Sequence, residues 1–127
     1  MTSSPGVVLD AGAFIAVERR KRVAVHLVEL FVRRSVPLVT SAGVVAQVWR
    51  GGGAAQVPVA YLLGRTRVVD LTYATARVLG KMLGATRTSD AVDAHVVLLA
   101  REHGWPVLTS DPDDLLAIDP TLRFERV

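Results

Sequence analysis

The sequence predicts an α/β fold, a layered sandwich whose mostly parallel central sheet of four to five strands is flanked by helices. Three observations lead there. Short apolar runs such as Val7-Val8-Leu9 and Pro37-Leu38-Val39 lack the in–out alternation of a sheet with one wet face, as expected of strands covered on both sides. Between them lie stretches with helical spacing, bounded by Gly, Pro and capping residues. The two kinds of segment alternate along the whole chain, the order that crossover helices between parallel strands require.

Val7-Val8-Leu9 is the first strand, and Asp10-Ala11-Gly12-Ala13 opens a short helix through Phe14, Val17 and Glu18. Arg19-Arg20-Lys21-Arg22 reads as a solvated joint before a second helix, in which Val23, Leu27, Leu30, Phe31 and Arg34 follow one stripe. Pro37-Leu38-Val39 is the second strand and ends in Thr40-Ser41. Ser41 can cap a helix carrying Val44, Val45, Val48 and Trp49, which Gly51-Gly52-Gly53 terminates. Pro58 suits the first turn of the next helix, with Tyr61-Leu62-Leu63 inside and Gly64 after its end. Arg67 to Leu71 is a third strand. Thr72 then caps a helix with Ala76, Leu79, Gly80 and Leu83 in one stripe, closed by Gly84. The loop Thr86-Arg87-Thr88-Ser89 leads to a helix over 91–100 that is apolar on nearly every side and so expected to be deeply buried. Gly104 stops it, Pro106 to Thr109 is a strand, Leu115 to Ile118 a short helical segment, and Leu122 to Glu125 a last strand. With no linker or internal repeat in 127 residues, one domain over 1–127 is expected.

Composition narrows the function. Half of the residues are hydrophobic and 21% are charged, the balance of a globular chain. No apolar run approaches the roughly 20 residues of a membrane span, and no secretory signal is visible, so a cytoplasmic protein without membrane contact is expected. The absence of cysteine excludes disulfides and thiolate metal sites. Net charge is +3 and, because Lys21 and Lys81 are the only lysines, almost all positive charge is arginine. Arginine grips phosphate with paired hydrogen bonds, which gives weak support for an anionic partner.

The acids carry more information. Asp10 and Asp111 both stand at the carboxyl ends of strands, where open parallel sheets bind ligands. Asp90 and Asp93 start the buried helix that feeds the strand before Asp111, about 60° apart on one side of it. Carboxylates gathered at one rim repel one another and take up protons unless they share a cation. Mg²⁺ accepts carboxylates, waters and phosphate oxygens together, and promotes attack on a phosphodiester. Each acid also has a structural explanation. Asp10 can cap the helix after its strand, Asp90 can be an N-cap with Asp93 as its capping-box partner, and Asp111-Pro112-Asp113-Asp114 can form a turn and another cap.

Other chemistries find no support. His26, His95 and His103 show no metal-ligand spacing and are expected on the surface or in the core. Trp49 and Trp105 are expected to pack. The triple glycine matches neither a dinucleotide fingerprint nor a P-loop, Gly-x-Ser-x-Gly is absent, and Gly12 stands where an Asp-x-Asp phosphatase needs its second acid.

Four stretches in order resemble the motifs of a PIN domain, specifically of a VapC-type toxin ribonuclease. They are Val7 to Ala13, Ser41 to Gly51, Asp93-Ala94 with its apolar helix, and Thr109-Ser110-Asp111-Pro112-Asp113-Asp114. The resemblance implies a PIN-like three-layer sandwich and an endoribonuclease dependent on Mg²⁺, or Mn²⁺. It also implies a homodimer, an RNA substrate and a cognate antitoxin that blocks the acidic site. On this resemblance Asp10, Asp93 and Asp111 are the catalytic and metal-binding acids, Asp113 is auxiliary, and Thr109 orients the last strand end. The family's second motif normally carries a glutamate, and here Gln47 takes its place, on the Val44/Val48 side of its helix and hence expected to face inward. An amide oxygen supplies neither negative charge nor a proton acceptor at neutral pH. Asp90, or more distantly Glu18, could compensate. The alternative function is a PIN-fold module that binds RNA or antitoxin with weak or no catalysis.

Overall fold

A strand of three or four residues needs neighbours to saturate its backbone; the central strands of this sheet are buried along their whole length, while those at its two edges are largely exposed. The computed structural model describes residues 5–127. The strands are β1 (Val7–Leu9), β2 (Leu38–Ser41), β3 (Arg67–Val69), β4 (Val107–Thr109) and β5 (Phe124–Arg126). They form a single sheet in the order β3-β2-β1-β4-β5. Every adjacent pair is parallel, so the sheet is wholly rather than mostly parallel. β1 is central, pairing Val8 with Val39 on one side and with Val107 on the other.

The helices are α1 (Ala11–Glu18), α2 (Arg22–Arg33), α3 (Ala42–Val48), α4 (Val57–Leu63), α5 (Tyr73–Thr86), α6 (Ala91–His103) and α7 (Asp113–Ile118). α1 packs on α2, α3 and α4, and α6 on α5 and α7, while both touch the sheet. Between these layers Val8, Leu9, Phe14, Leu62, Leu79, Leu99, Leu108 and Leu115 are almost completely excluded from water. Each of the larger ones contributes about 1.5–3 kcal/mol of burial. α6 buries Ala94 to Val97, Leu99 and Ala100, as its all-round apolar sequence requires. No helix among the described residues is long and apolar enough to cross a membrane.

Chain order and strand order together place the site. From β1 the chain winds one way through β2 to β3, then returns to the other side of β1 for β4 and β5. The direction therefore reverses between β1 and β4, and the crevice beyond their carboxyl ends is where such sheets bind ligands. Asp10 follows β1 and Asp111 stands two residues past Thr109, the end of β4.

Several expectations need correction. Val23 is 56% exposed, because α2 turns Ala24 and Val28 inward. Tyr61 is also exposed, and it lies under the Arg65 guanidinium. Gly84 does not close α5, which continues to Thr86 and ends at Arg87 in the left-handed conformation. β3 stops at Val69, short of Leu71. β4 begins at Val107 rather than Pro106, and β5 is shifted to Phe124–Arg126. A proline has no N–H to give to a sheet ladder.

Candidate active site

Asp10 is fixed from two directions. Its backbone is extended and it caps α1, with Oδ1 accepting from Ala11 N at 2.6 Å. Its Oδ2 accepts from Thr109 Oγ1 at 2.8 Å. Thr109 is the buried last residue of β4, and its Oγ1 also accepts from Asp111 N at 3.1 Å. One threonine hydroxyl thus ties the β1 acid to the turn that carries the β4 acid. Gly12 makes the approach possible: a Cβ there would overlap Ser110 Oγ and lie 2.8 Å from Ser110 N.

The α6 acids approach the same rim. Asp90 is the N-cap, its Oδ1 accepting from Val92 N at 2.9 Å and Asp93 N at 3.0 Å. Asp93 follows in the first turn and is half-buried. Its carboxyl is pushed up to about 7, first by burial and then by repulsion from Asp90, Asp10, Asp114 and Asp111. Burial also raises Asp10, against the lowering effect of its Thr109 and Ala11 hydrogen bonds, and repulsion from Asp90 and Asp111 adds to the rise. Acids from β1, α6, β4 and α7 therefore share one field. Beside Asp93 lies a cleft of about 300 Å³ lined by Thr88, Ser89, Asp90, Asp93, Asp114, Ala117 and Ile118.

The PIN domain family profile matches residues 7–119. The chain belongs to the PIN domain family. No curated protein matches it significantly. Its fold is similar to VapBC2 from Rickettsia felis bound to a DNA fragment from its promoter (15% identity, covering 95% of this chain and 98% of that one, TM-score 0.68). It is also similar to PAE2754 from Pyrobaculum aerophilum (14% identity, 95% and 84% coverage, TM-score 0.67). FitAcB from Neisseria gonorrhoeae gives 18% identity, 93% and 95% coverage, and a TM-score of 0.61. PIN domains are generally nucleases and typically use divalent metals.

Whether this PIN domain suits such an ion can be asked of its donors. Among the described residues no three acidic or histidine side chains lie close enough, as placed, to hold one ion together. The donor chemistry nevertheless fits a hard, hydrated cation: the groups are oxygen donors, and one carboxyl is held near protonation by burial and by neighbouring acids whose repulsion a cation would relieve.

The remaining residues fall into place around the PIN site. Asp111 is exposed and its Oδ1 accepts from Asp113 N at 3.3 Å, so Asp113 serves the turn through its backbone. The α7 acid that lines the cleft and acts on Asp93 is Asp114, which the sequence did not single out. The signal was available, because Asp114, Ala117 and Ile118 have the spacing of one helix face. Gln47 is not among the buried residues of α3. It is exposed, and its backbone oxygen accepts from Arg50 Nη2 at 2.9 Å. Glu18, at the far end of α1, is engaged elsewhere, accepting from Gln56 Nε2 at 3.1 Å. Gln56 also escaped the sequence: buried, it accepts from Arg50 N and Gly52 N and donates to Val48 O, pinning the triple-glycine loop. The capping roles of Asp10 and Asp90 are real and coexist with membership of the acidic rim.

Proposed function

We propose that this PIN domain is a toxin-like endoribonuclease that hydrolyses RNA phosphodiester bonds with a divalent ion, Mg²⁺ or Mn²⁺. A cognate antitoxin restrains it in the cytoplasm, and the active form is a homodimer. The observation that carries the reading is the proton affinity of Asp93, raised to about 7 at the point where the winding of the sheet reverses. Burial and four neighbouring acids disfavour the charged form of this half-buried carboxyl, and a cation held there would offset that cost.

Asp10, Asp93 and Asp111 would hold the ion, with Asp90 and Asp114 at its margin. When bound, such an ion lowers the proton affinity of a water and offsets charge on the phosphate. Thr109 keeps Asp10 aimed at the crevice by donating to Oδ2, and its acceptance from Asp111 N keeps the turn closed. Asp93 is the group best placed to take up a proton in the neutral range. Surface arginines would position the RNA backbone rather than read its sequence.

The test is cleavage of purified tRNA, rRNA and mRNA on gels with Mg²⁺, Mn²⁺ or EDTA. Metal-dependent cleavage that is abolished by Asp10→Asn and by Asp93→Asn supports the proposal; cleavage that survives both removes these acids from the chemistry.

The second reading, a PIN-fold module that binds RNA or antitoxin with weak or no catalysis, is favoured by Gln47 in place of the motif's glutamate and by the finding that, among the described residues, no three acids are gathered closely enough to hold one ion. Gln47→Glu separates the two. A large gain in cleavage identifies a wild-type site weakened at this position. Strong wild-type activity that the change does not improve rejects the module.

A further inference from the structure

Among the buried polar groups that the chemistry proposed above does not use, one lies in α6 close to Asp93. His95, in α6, is 1% exposed, and its Nδ1 lies 2.6 Å from Ser41 Oγ. Ser41 is fully buried, ends β2 and caps α3, accepting from Gly43 N through the same Oγ at 3.0 Å. A hydroxyl has one proton and two lone pairs, so the capping bond and the imidazole bond are compatible in either histidine tautomer. In a helix that buries apolar residues on both sides of His95, packing alone does not call for an imidazole at this position.

Two neighbouring contacts show what the pair holds. Val92 precedes His95 by three residues, on the same side of α6, and meets α3 so closely that a Cβ on Gly43 would lie 2.8 Å from Val92 Cγ2. α6 is therefore attached to the β2–α3 junction at two points a turn apart, which fixes rotation about its axis as well as distance. Thr40, the residue before Ser41, donates through Oγ1 to Leu9 O at 2.6 Å, immediately before Asp10. The end of β2 is thus bonded to the element carrying Asp93 and to the strand carrying Asp10.

We propose that His95 and Ser41 form a positioning latch, which sets the rotation of α6 that presents Asp93 to Asp10. His95 is a positioning residue and touches no reacting group. The proposal rests on the metal-dependent reading of the site, and its test reads metal binding and local opening separately from cleavage.

The comparison uses two variants of equal polarity. Asparagine places its amide near the position of imidazole Nδ1 and can bond Ser41 Oγ; glutamine extends towards the position of Nε2 and cannot do so without moving. Mn²⁺ binding to the full chain is measured by electron paramagnetic resonance, with thermal melts as a check on folding. His95→Gln and Ser41→Ala are each expected to raise the Mn²⁺ dissociation constant by about tenfold, in the range seen for residues that orient metal ligands. His95→Asn stays within about threefold of wild type. The double variant His95→Gln/Ser41→Ala is no weaker than the worse single one, because one interaction is lost only once. Equal binding by the Asn and Gln variants, or full additivity in the double variant, overturns the latch. If His95→Gln does not fold, Ser41→Ala is compared with wild type and His95→Asn: Mn²⁺ binding weakened about tenfold in Ser41→Ala alone supports the latch, and binding equal to wild type overturns it. If wild type binds no Mn²⁺, the nuclease reading fails, and amide hydrogen exchange then decides about the latch. Faster exchange at Gly43 and Ala94 in His95→Gln but not in His95→Asn supports it, and identical exchange in the two overturns it.

Discussion

Asp93→Asn should make this protein more stable at alkaline pH while weakening its hold on metal. Folding moves the Asp93 carboxyl from its ordinary 3.8 up to about 7. A raised acid means that the folded state binds the proton more tightly than the unfolded chain. The associated stability is complete below about pH 3.8 and is lost as pH rises towards 7. At about 1.36 kcal/mol per unit the full shift would be worth roughly 4 kcal/mol. Asp93 is only half-buried, and screening by water reduces this to about 1–2 kcal/mol. Asparagine has nearly the same shape and no charge to desolvate, so at pH 8 in EDTA the variant should gain about 1–2 kcal/mol, or roughly 4–8 °C in Tm. At pH 5 the gain should fall below half of that, because folded Asp93 is already protonated there. Urea denaturation followed by circular dichroism at both pH values measures the difference directly. Mn²⁺ at pH 8 should stabilise wild type by mass action and leave the variant almost unmoved. A variant no more stable than wild type at pH 8, or equally shifted at both pH values, would refute the claim that burial and the neighbouring acids together disfavour a charged Asp93.

Three further perturbations test how the site is built. Thr109→Val removes the donor to Asp10 Oδ2 and the acceptor of Asp111 N, and should cost about 1–3 kcal/mol and raise the pH needed to ionise Asp10; urea melts and carboxyl titration by NMR report both. Gly12→Ala drives a Cβ into Ser110, so a loss of about 1–3 kcal/mol is expected together with weaker Mn²⁺ binding, because the turn holding Asp111 must move; Ser and Ala variants should behave alike. Gln56→Ala strips partners from Arg50 N, Gly52 N, Val48 O and Glu18, and should destabilise by about 2–4 kcal/mol with unchanged Mn²⁺ affinity, which separates the loop clamp from the acidic rim.

The fold was legible because its evidence is local. The unbroken apolar triplet at Val7–Leu9 and the all-round apolar α6 each report two-sided burial without reference to the rest of the chain. That Asp10 and Asp111 stand at one edge of the sheet was legible from a topological rule, because residues that follow neighbouring parallel strands share that edge. What escaped depends on side-chain direction. Asp113 and Asp114 are neighbours in sequence but about 100° apart around α7, and only the packing of Leu115 and Ile118 decides which of them faces Asp93. Gln47 lies close in sequence to buried Val44 and Val48, yet it is exposed. His95 and Ser41, or Gln56 and Glu18, are paired across long sequence separations, where no periodicity in either segment announces the partner. Gly84 looked like a helix stop, but the chain has a left-handed Arg87 to end α5 and tolerates a glycine inside it.

The central claim is that carboxylates delivered by β1 and by α6 act as one cation site, and Mn²⁺ titration followed by calorimetry at pH 7.5, about physiological, tests it most directly. Wild type should bind Mn²⁺, and Asp10→Asn and Asp93→Asn should each weaken binding by at least about tenfold, with the double variant little worse than the singles. Binding that survives either substitution unchanged, or two losses that simply add, would contradict the account.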